Sequence, residues 1–229
     1  MNDMTPPEAD DPPYFYPGYR STLLRSPREP LLRLPGAYNV PGPAVPEKFV
    51  KEGDNDLTAH GRSAPLGEKI ILTGRLLDAD GRPIRRSLVE IWQANASGRY
   101  RHPGDQHDLP LDPNFIGIGR TFTDEEGRYR FVTIKPGAYP WENSAFAWRP
   151  AHIHFSLLGN APIQRLITQM YFPGDPLLDT DPIYNSVPDA AARKRMMSRL
   201  EVETGIEAVA LGYVFDIVLG GSRATPLAR

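Results

Sequence analysis

Lys69-Ile70-Ile71-Leu72-Thr73-Gly74-Arg75-Leu76-Leu77-Asp78, followed by Ala79-Asp80-Gly81-Arg82-Pro83, reads as a strand and the turn that ends it. The rest of the chain repeats that rhythm. Residues 87–93 form the next strand, and 115–123 with 128–134, joined at Asp124-Glu125-Glu126-Gly127, read as a hairpin. Residues 151–158, 165–172 and 213–219 bring the set to at least seven. Short strands with turn signals at this interval predict a mainly β chain folded as an antiparallel β-sandwich.

Outward from that core, the N-terminal side has a different texture. About half of the 25 prolines fall in the first 65 residues, in runs such as Asp11-Pro12-Pro13-Tyr14-Phe15-Tyr16-Pro17. Proline at that density excludes long helices and central strands. Tyr14, Phe15, Tyr16, Tyr19, Leu23, Leu24, Leu31, Leu32 and Leu34 make the segment too apolar for a free linker. It reads as an extended arm over this subunit or a partner, free only over about its first ten residues. The division expected is an arm over 1–66 and a sandwich domain over 67–229. On the C-terminal side, Pro188, Asp189 and the helix formers after them predict one helix over 188–200, with a Met/Leu stripe turned inward.

Composition narrows the partners. A net charge of -2, with no basic block or stripe, gives no electrostatic reason to bind nucleic acid or an anionic membrane. The 229 residues contain no cysteine, so disulfides, thiolate nucleophiles and thiolate metal sites are excluded, and any metal is held by nitrogen and oxygen. No apolar run approaches a membrane span, and Met1-Asn2-Asp3-Met4 opens no signal peptide, so the expected location is cytoplasmic.

The chemistry concentrates in Trp148-Arg149-Pro150-Ala151-His152-Ile153-His154-Phe155. In a strand, His152 and His154 leave on one face and can share one metal ion; equally, one could be a hydrogen-bonded core histidine. His60, His102 and His107 have no spacing that recommends them as a third ligand, and carboxylates near the His-x-His strand are few. Tyr100 and Tyr139 each follow a strand, where loops present functional groups. A tyrosine ligates only as phenolate, which needs a strong cation such as iron(III); the alternative is that both are packing residues.

Beyond that point the motifs carry a resemblance. The stretch Val89-Glu90-Ile91-Trp92-Gln93-Ala94-Asn95 through Gly98-Arg99-Tyr100-Arg101-His102, then Lys135-Pro136-Gly137-Ala138-Tyr139-Pro140-Trp141, then the His152/His154 strand, resembles the intradiol ring-cleavage dioxygenases over roughly 66–221. The resemblance implies a non-haem iron(III) held by Tyr100, Tyr139, His152 and His154, with Tyr139 leaving to act as a base. It implies that Arg149 stabilises negative charge and that Gln169 adds a hydrogen bond; the alternative for Arg149 is a structural guanidinium paired to a carboxylate. Trp141, Ile183 and, more loosely, Tyr19 match positions around the substrate. Ile116, Ile118 and Tyr184 are departures expected to shift substrate preference.

The substrates implied are protocatechuate and O2, the product 3-carboxy-cis,cis-muconate, and the partner a homologous alpha chain without iron. Relatives acting on catechol or hydroxyquinol carry a helical N-terminal domain where this chain has its proline-rich arm. Outside catalysis, a transthyretin-like binding module is the competing reading.

Overall fold

The computed structural model describes residues 11–25, 45–158 and 165–228, apart from positions 14, 144, 146 and 147. Its strands, in chain order, are β1 (Lys69–Asp78), β2 (Leu88–Trp92), β3 (Ile118–Phe122), β4 (Arg128–Ile134), β5 (Tyr139–Pro140) and β6 (Trp148–Arg149). After them come β7 (His152–Leu158), β8 (Arg165–Tyr171), β9 (Arg199–Leu200), β10 (Leu211–Val214) and β11 (Ile217–Leu219). One sheet centres on β1, with β4 antiparallel on one side and β10 and β11 on the other; β9 pairs with β10. The second runs β3-β2-β7-β8, antiparallel throughout.

The two sheets share one core. Ile70, Leu72 and Leu76 of β1 and Phe131 of β4 meet Val89 and Ile91 of β2 and Ile153, Phe155 and Leu157 of β7, all fully buried. Each such side chain contributes about 2 kcal/mol of burial. Because side chains alternate along β7, burying Ile153, Phe155 and Leu157 inward sends His152 and His154 to the sheet's outer face. The core that holds the sandwich together thereby decides where its polar residues gather.

Three expectations about elements need correction. The turn at Asp124 to Gly127 forms, with Asp124 Oδ1 accepting from the Glu126 and Arg128 amides at 2.9 and 2.7 Å. The strands it joins nevertheless belong to different sheets, β3 beside β2 and β4 beside β1. A turn between two layers buries the same apolar faces as a turn within one, so the pattern does not separate them. The strand expected over 213–219 is broken at Phe215 and Asp216, and both pieces run parallel to β1 within an otherwise antiparallel sandwich. At the break the Asp216 carboxylate accepts from the Arg75 amide at 2.9 Å, and the Phe215 carbonyl accepts from the Tyr129 hydroxyl. Gly74 faces that carbonyl so closely that a Cβ would collide with it.

The helix expected over 188–200 is only one turn and a half. Helical segments are α1 (Thr22–Arg25), α2 (Pro182–Ser186) and α3 (Ala190–Lys194), the last capped by the Asp189 carboxylate accepting from the Ala192 amide at 2.7 Å. Beyond it the backbone pairs with strands: the Tyr171 amide donates to Met196 O at 2.8 Å, and Arg199–Leu200 is β9. Those strand bonds take the groups a longer helix would need. Met196 is buried as expected, whereas Leu200 is exposed.

Two described parts of the arm pack on this subunit. Leu57 enters the main core, and its amide donates to Val132 O at 2.9 Å. Residues 19–21 pack against 141–143, with the Arg20 amide donating to Asn143 O and the Ser21 amide to Asn143 Oδ1, both at 2.8 Å. Tyr14, Leu31, Leu32, Leu34 and the first ten residues lie outside the described residues.

Candidate metal centre

Three segments converge on the outer face of the β2-β7-β8 surface. The register sets Trp92 of β2 and Gln169 of β8 opposite His154, and Tyr171 opposite His152. The Trp92 and His154 rings stack with centroids 4.7 Å apart and planes 3° from parallel, which holds that imidazole's plane. His152 is fixed by a different device. Its Nδ1 lies 2.8 Å from the Pro150 carbonyl, which can only accept, so Nδ1 carries the proton and Nε2 keeps its lone pair. The two imidazole centroids are 4.8 Å apart.

The tyrosines arrive on loops that are themselves joined. Asn95 Oδ1 accepts from the Ser97 and Arg99 amides at 3.0 and 2.9 Å, turning the chain after β2. Gly98, at φ +86°, passes so near the Ala138 carbonyl that no Cβ fits between them. The Gly137 amide donates to Asn95 O at 3.0 Å, and the Tyr100 amide to Asp105 Oδ2 at 2.8 Å. Tyr139 on β5 pairs with Arg149 on β6. The result is a ring of aromatic contacts: Tyr100 to Tyr139 at 5.3 Å, Tyr139 to His152 at 5.5 Å, and Tyr100 to His154 at 6.3 Å between centroids.

This donor set fits a hard, highly charged cation. Tyr100 Oη is buried and has no hydrogen-bond partner, a condition that costs about 1–3 kcal/mol unless something fills it. Burial, and then the neighbouring Tyr139 phenol, push the Tyr100 hydroxyl well above its ordinary pKa. Only a strong positive charge at that point makes it phenolate. Burial also holds both imidazoles well below the ordinary histidine value, with Arg149 adding to it at His152, and His152 followed by Arg149 at His154. Neutral imidazoles are ligands; protonated ones are not. Among the described residues no group of three or more His, Cys, Asp and Glu side chains could hold a metal ion; the oxygen-bearing side chains whose rings meet the two imidazoles are Tyr100, Tyr139 and Tyr171.

Beside the ring lies a guanidinium that is almost fully enclosed. Arg149 is 1% exposed, and its Nε and Nη2 donate to Asp181 Oδ1 and Oδ2 at 2.9 and 2.8 Å. Gln169 Oε1 and Tyr171 Oη accept from Nη2 at 2.7 and 3.1 Å. Nη1 faces Tyr139 Oη at 3.4 Å and His152 Nε2 at 3.2 Å. Above the ring opens a cavity of ≈ 390 Å³ whose walls include Trp92, Tyr100, Ile116, Ile118, Tyr139 and Trp141.

With that geometry in place, the likeness to known proteins is specific. Residues 40–221 match the family described as Dioxygenase, and residues 6–37 match the one described as Protocatechuate 3,4-dioxygenase beta subunit N terminal. This chain belongs to the intradiol dioxygenase family. A protocatechuate 3,4-dioxygenase beta chain of Burkholderia cepacia is 55% identical to it over 224 residues, 95% of this chain and 94% of that one. A protocatechuate 3,4-dioxygenase alpha chain of Pseudomonas putida is 31% identical, across 69% of this chain and 75% of its own length. Among solved structures, 3-chlorocatechol 1,2-dioxygenase from Rhodococcus opacus 1CP superposes with a TM-score of 0.58 at 25% identity, over 75% of this chain and 66% of that one. The chain is therefore an intradiol dioxygenase, in a family that uses non-haem ferric iron.

The residues expected at an intradiol site divide into three groups. Tyr100, Tyr139, His152 and His154 come together, and Arg149 and Gln169 stand beside them, bonded to each other. Trp141 lines the cavity and lies 5.1 Å from the Arg149 guanidinium. Tyr19 and Ile183, expected around the substrate, are buried and do not line the cavity: Tyr19 packs on Trp141 at 5.2 Å, and Ile183 sits within α2. His102 and His107 border the cavity, whereas His60 is exposed elsewhere.

The few carboxylates that come near the histidines are engaged elsewhere. Asp181 is fully buried against Arg149, and Asp175 Oδ2 accepts from the Ala151 amide at 3.0 Å. Both precede a proline, which in a sequence reads as a helix cap. Each does cap a helical turn, but Asp181 has a second partner that the chain order hides. Among the described residues, no helix is long and apolar enough to cross a membrane.

Proposed function

We propose that this chain cleaves protocatechuate with O2 to 3-carboxy-cis,cis-muconate, with iron(III) held by Tyr100, Tyr139, His152 and His154. The observation that carries the reading is the buried, unpartnered Tyr100 hydroxyl beside Tyr139, His152 and His154. When bound, ferric iron supplies Lewis acidity and accepts electron density from a catechol ring, priming the ring for O2.

The chain's own groups do the rest. Tyr139 would hold the iron as phenolate, and that phenolate oxygen would take a proton from a substrate hydroxyl and become the neutral phenol, a transfer supported by its place between Arg149 and the cavity. Arg149 is a fixed cation where the cleaved ring gains negative charge. Gln169 Oε1 accepts from Arg149 Nη2, a second hold on the guanidinium beside the Asp181 pair. Trp92, Trp141, Ile116 and Ile118 give apolar walls suited to an aromatic ring, and Tyr19 supports Trp141 from behind. The bond broken joins the two oxygen-bearing carbons, and both atoms of O2 enter the product.

A homologous alpha chain completes the enzyme, a reading supported by the presence of both alpha and beta chains among the relatives. The division into an arm over 1–66 and a catalytic sandwich over 67–229, and a cytoplasmic location, belong to the same proposal. The test is O2 uptake on protocatechuate and on catechol, with and without a coexpressed alpha chain. Preference for protocatechuate, with one O2 consumed per ring, supports the reading. Preference for catechol or hydroxyquinol transfers the chain to that branch of the family, and no uptake after iron loading supports the binding module.

A further inference from the structure

We propose that Asp181 is a positioning residue for catalysis, fixing the Arg149 guanidinium so that Nη1 alone faces Tyr139 and His152. The inference rests on the reading of Arg149 given above. Arg149 and Asp181 are 1% and 0% exposed, and the pair is bidentate, Nε to Oδ1 at 2.9 Å and Nη2 to Oδ2 at 2.8 Å. Two parallel bonds of this kind define the guanidinium plane as well as its position. With one bond, its orientation would rest on the single contacts of Nη2 with Gln169 and Tyr171.

The same carboxylate reaches further. Oδ2 accepts from the Tyr171 hydroxyl at 2.8 Å and, as the cap of α2, from the Tyr184 amide at 3.3 Å. The Asp181 carbonyl accepts from the Asn185 amide and side chain at 3.0 and 2.9 Å. Asn185 in turn offers its carbonyl to the Tyr16 hydroxyl of the arm at 3.5 Å. A continuous set of contacts therefore runs from the arm through α2 and Asp181 to the nitrogen beside Tyr139. An ion pair present only for stability has no need to leave one guanidinium nitrogen aimed at the proton-accepting oxygen.

The test is a double-mutant cycle on the iron-loaded chain with its alpha partner: wild type, Asp181→Asn, Arg149→Gln and both together. Asparagine keeps the shape and one acceptor but removes the charge and the second parallel acceptor. Two readouts are followed, the kinetics of O2 uptake on protocatechuate and the visible phenolate-to-iron absorption band, which needs no substrate. Asp181→Asn is expected to lower kcat by about 100-fold, with KM moving far less, and to shift the band. In the Arg149→Gln background the same substitution is expected to change neither quantity further.

Equal losses in both backgrounds, or a wild-type kcat and band in Asp181→Asn, overturn the proposal. If Asp181→Asn does not accumulate as folded protein, Asp181→Glu replaces it, retaining the charge one methylene too far out. A wild-type kcat and band in that variant overturn the proposal equally. Failure of the wild type to consume O2 with protocatechuate counts against the substrate reading alone, because the band cycle still decides the role of Asp181.

Discussion

Tyr139 and Tyr100 have the same side chain and different surroundings, so removing each hydroxyl has a different consequence. Tyr139 Oη is within 3.4 Å of Arg149 Nη1, whereas Tyr100 Oη has no protein partner. Tyr139→Phe is expected to retain iron but lose on the order of 100-fold in kcat/KM, measured by O2 uptake, because the proton acceptor is gone. Wild-type turnover would remove Tyr139 from that role. The histidines set the behaviour in acid. Both are held below the ordinary histidine value in the fold, while the unfolded chain protonates them near pH 6.5 or so.

Below about pH 6.5 the unfolded state then binds more protons, so stability falls as pH drops from there toward the folded-state values and does not depend on these groups above about pH 6.5. A lower urea midpoint for iron-free protein at roughly pH 5.5 than at 7.5 is the expected result; an equal or higher one contradicts it. At this scale the grouping of Tyr100, Tyr139, His152 and His154 was legible because their types and order match a known pattern. Asp181 was not, because Asp-Pro looks like a cap and its partner lies 32 positions away.

The element that most shapes the first sheet is β1, which meets β4 on one side and the two pieces β10 and β11 on the other. Gly74 sits where those pieces part, under the Phe215 carbonyl and 2.6 Å, for an added Cβ, from the Tyr129 hydroxyl. Gly74→Ala is expected to destabilise by about 2–3 kcal/mol, read from chemical unfolding, because both neighbours are held by backbone pairing and by each other. The iron absorption band should be unchanged, since the ligands stand on the other sheet and its loops; a colourless variant of normal stability would show the two layers to be coupled.

The strands themselves were readable from alternation, and most bounds agree within a residue or two. Their partners were less readable. The Asp124 to Gly127 turn is satisfied by Asp124 alone, so nothing in its local chemistry says whether the next strand joins the same sheet or crosses the core. The helix expected over 188–200 stopped early for a similar reason: pairing of Met196 and Ser198 with Tyr171 is a long-range event that helix propensity does not see.

For the whole molecule, the core and the site are two faces of one alternating strand. Ile153, Phe155 and Leu157 anchor the sandwich from inside, and His152 and His154 face out beneath the tyrosine loops. The sandwich class was legible because short strands and turns leave few other ways to bury a core. The place of the arm was only half legible: its apolar residues predicted packing, and Leu57 and Arg20 to Thr22 show where part of it packs. The proposed function gives these segments one purpose, a single ferric ion held between four side chains. The direct measurement is an anomalous difference map, at the iron absorption edge, from crystals of iron-loaded protein. One peak per chain within bonding distance of Tyr100 Oη, Tyr139 Oη and both imidazoles is the predicted result; a peak elsewhere, or none at that point, contradicts it.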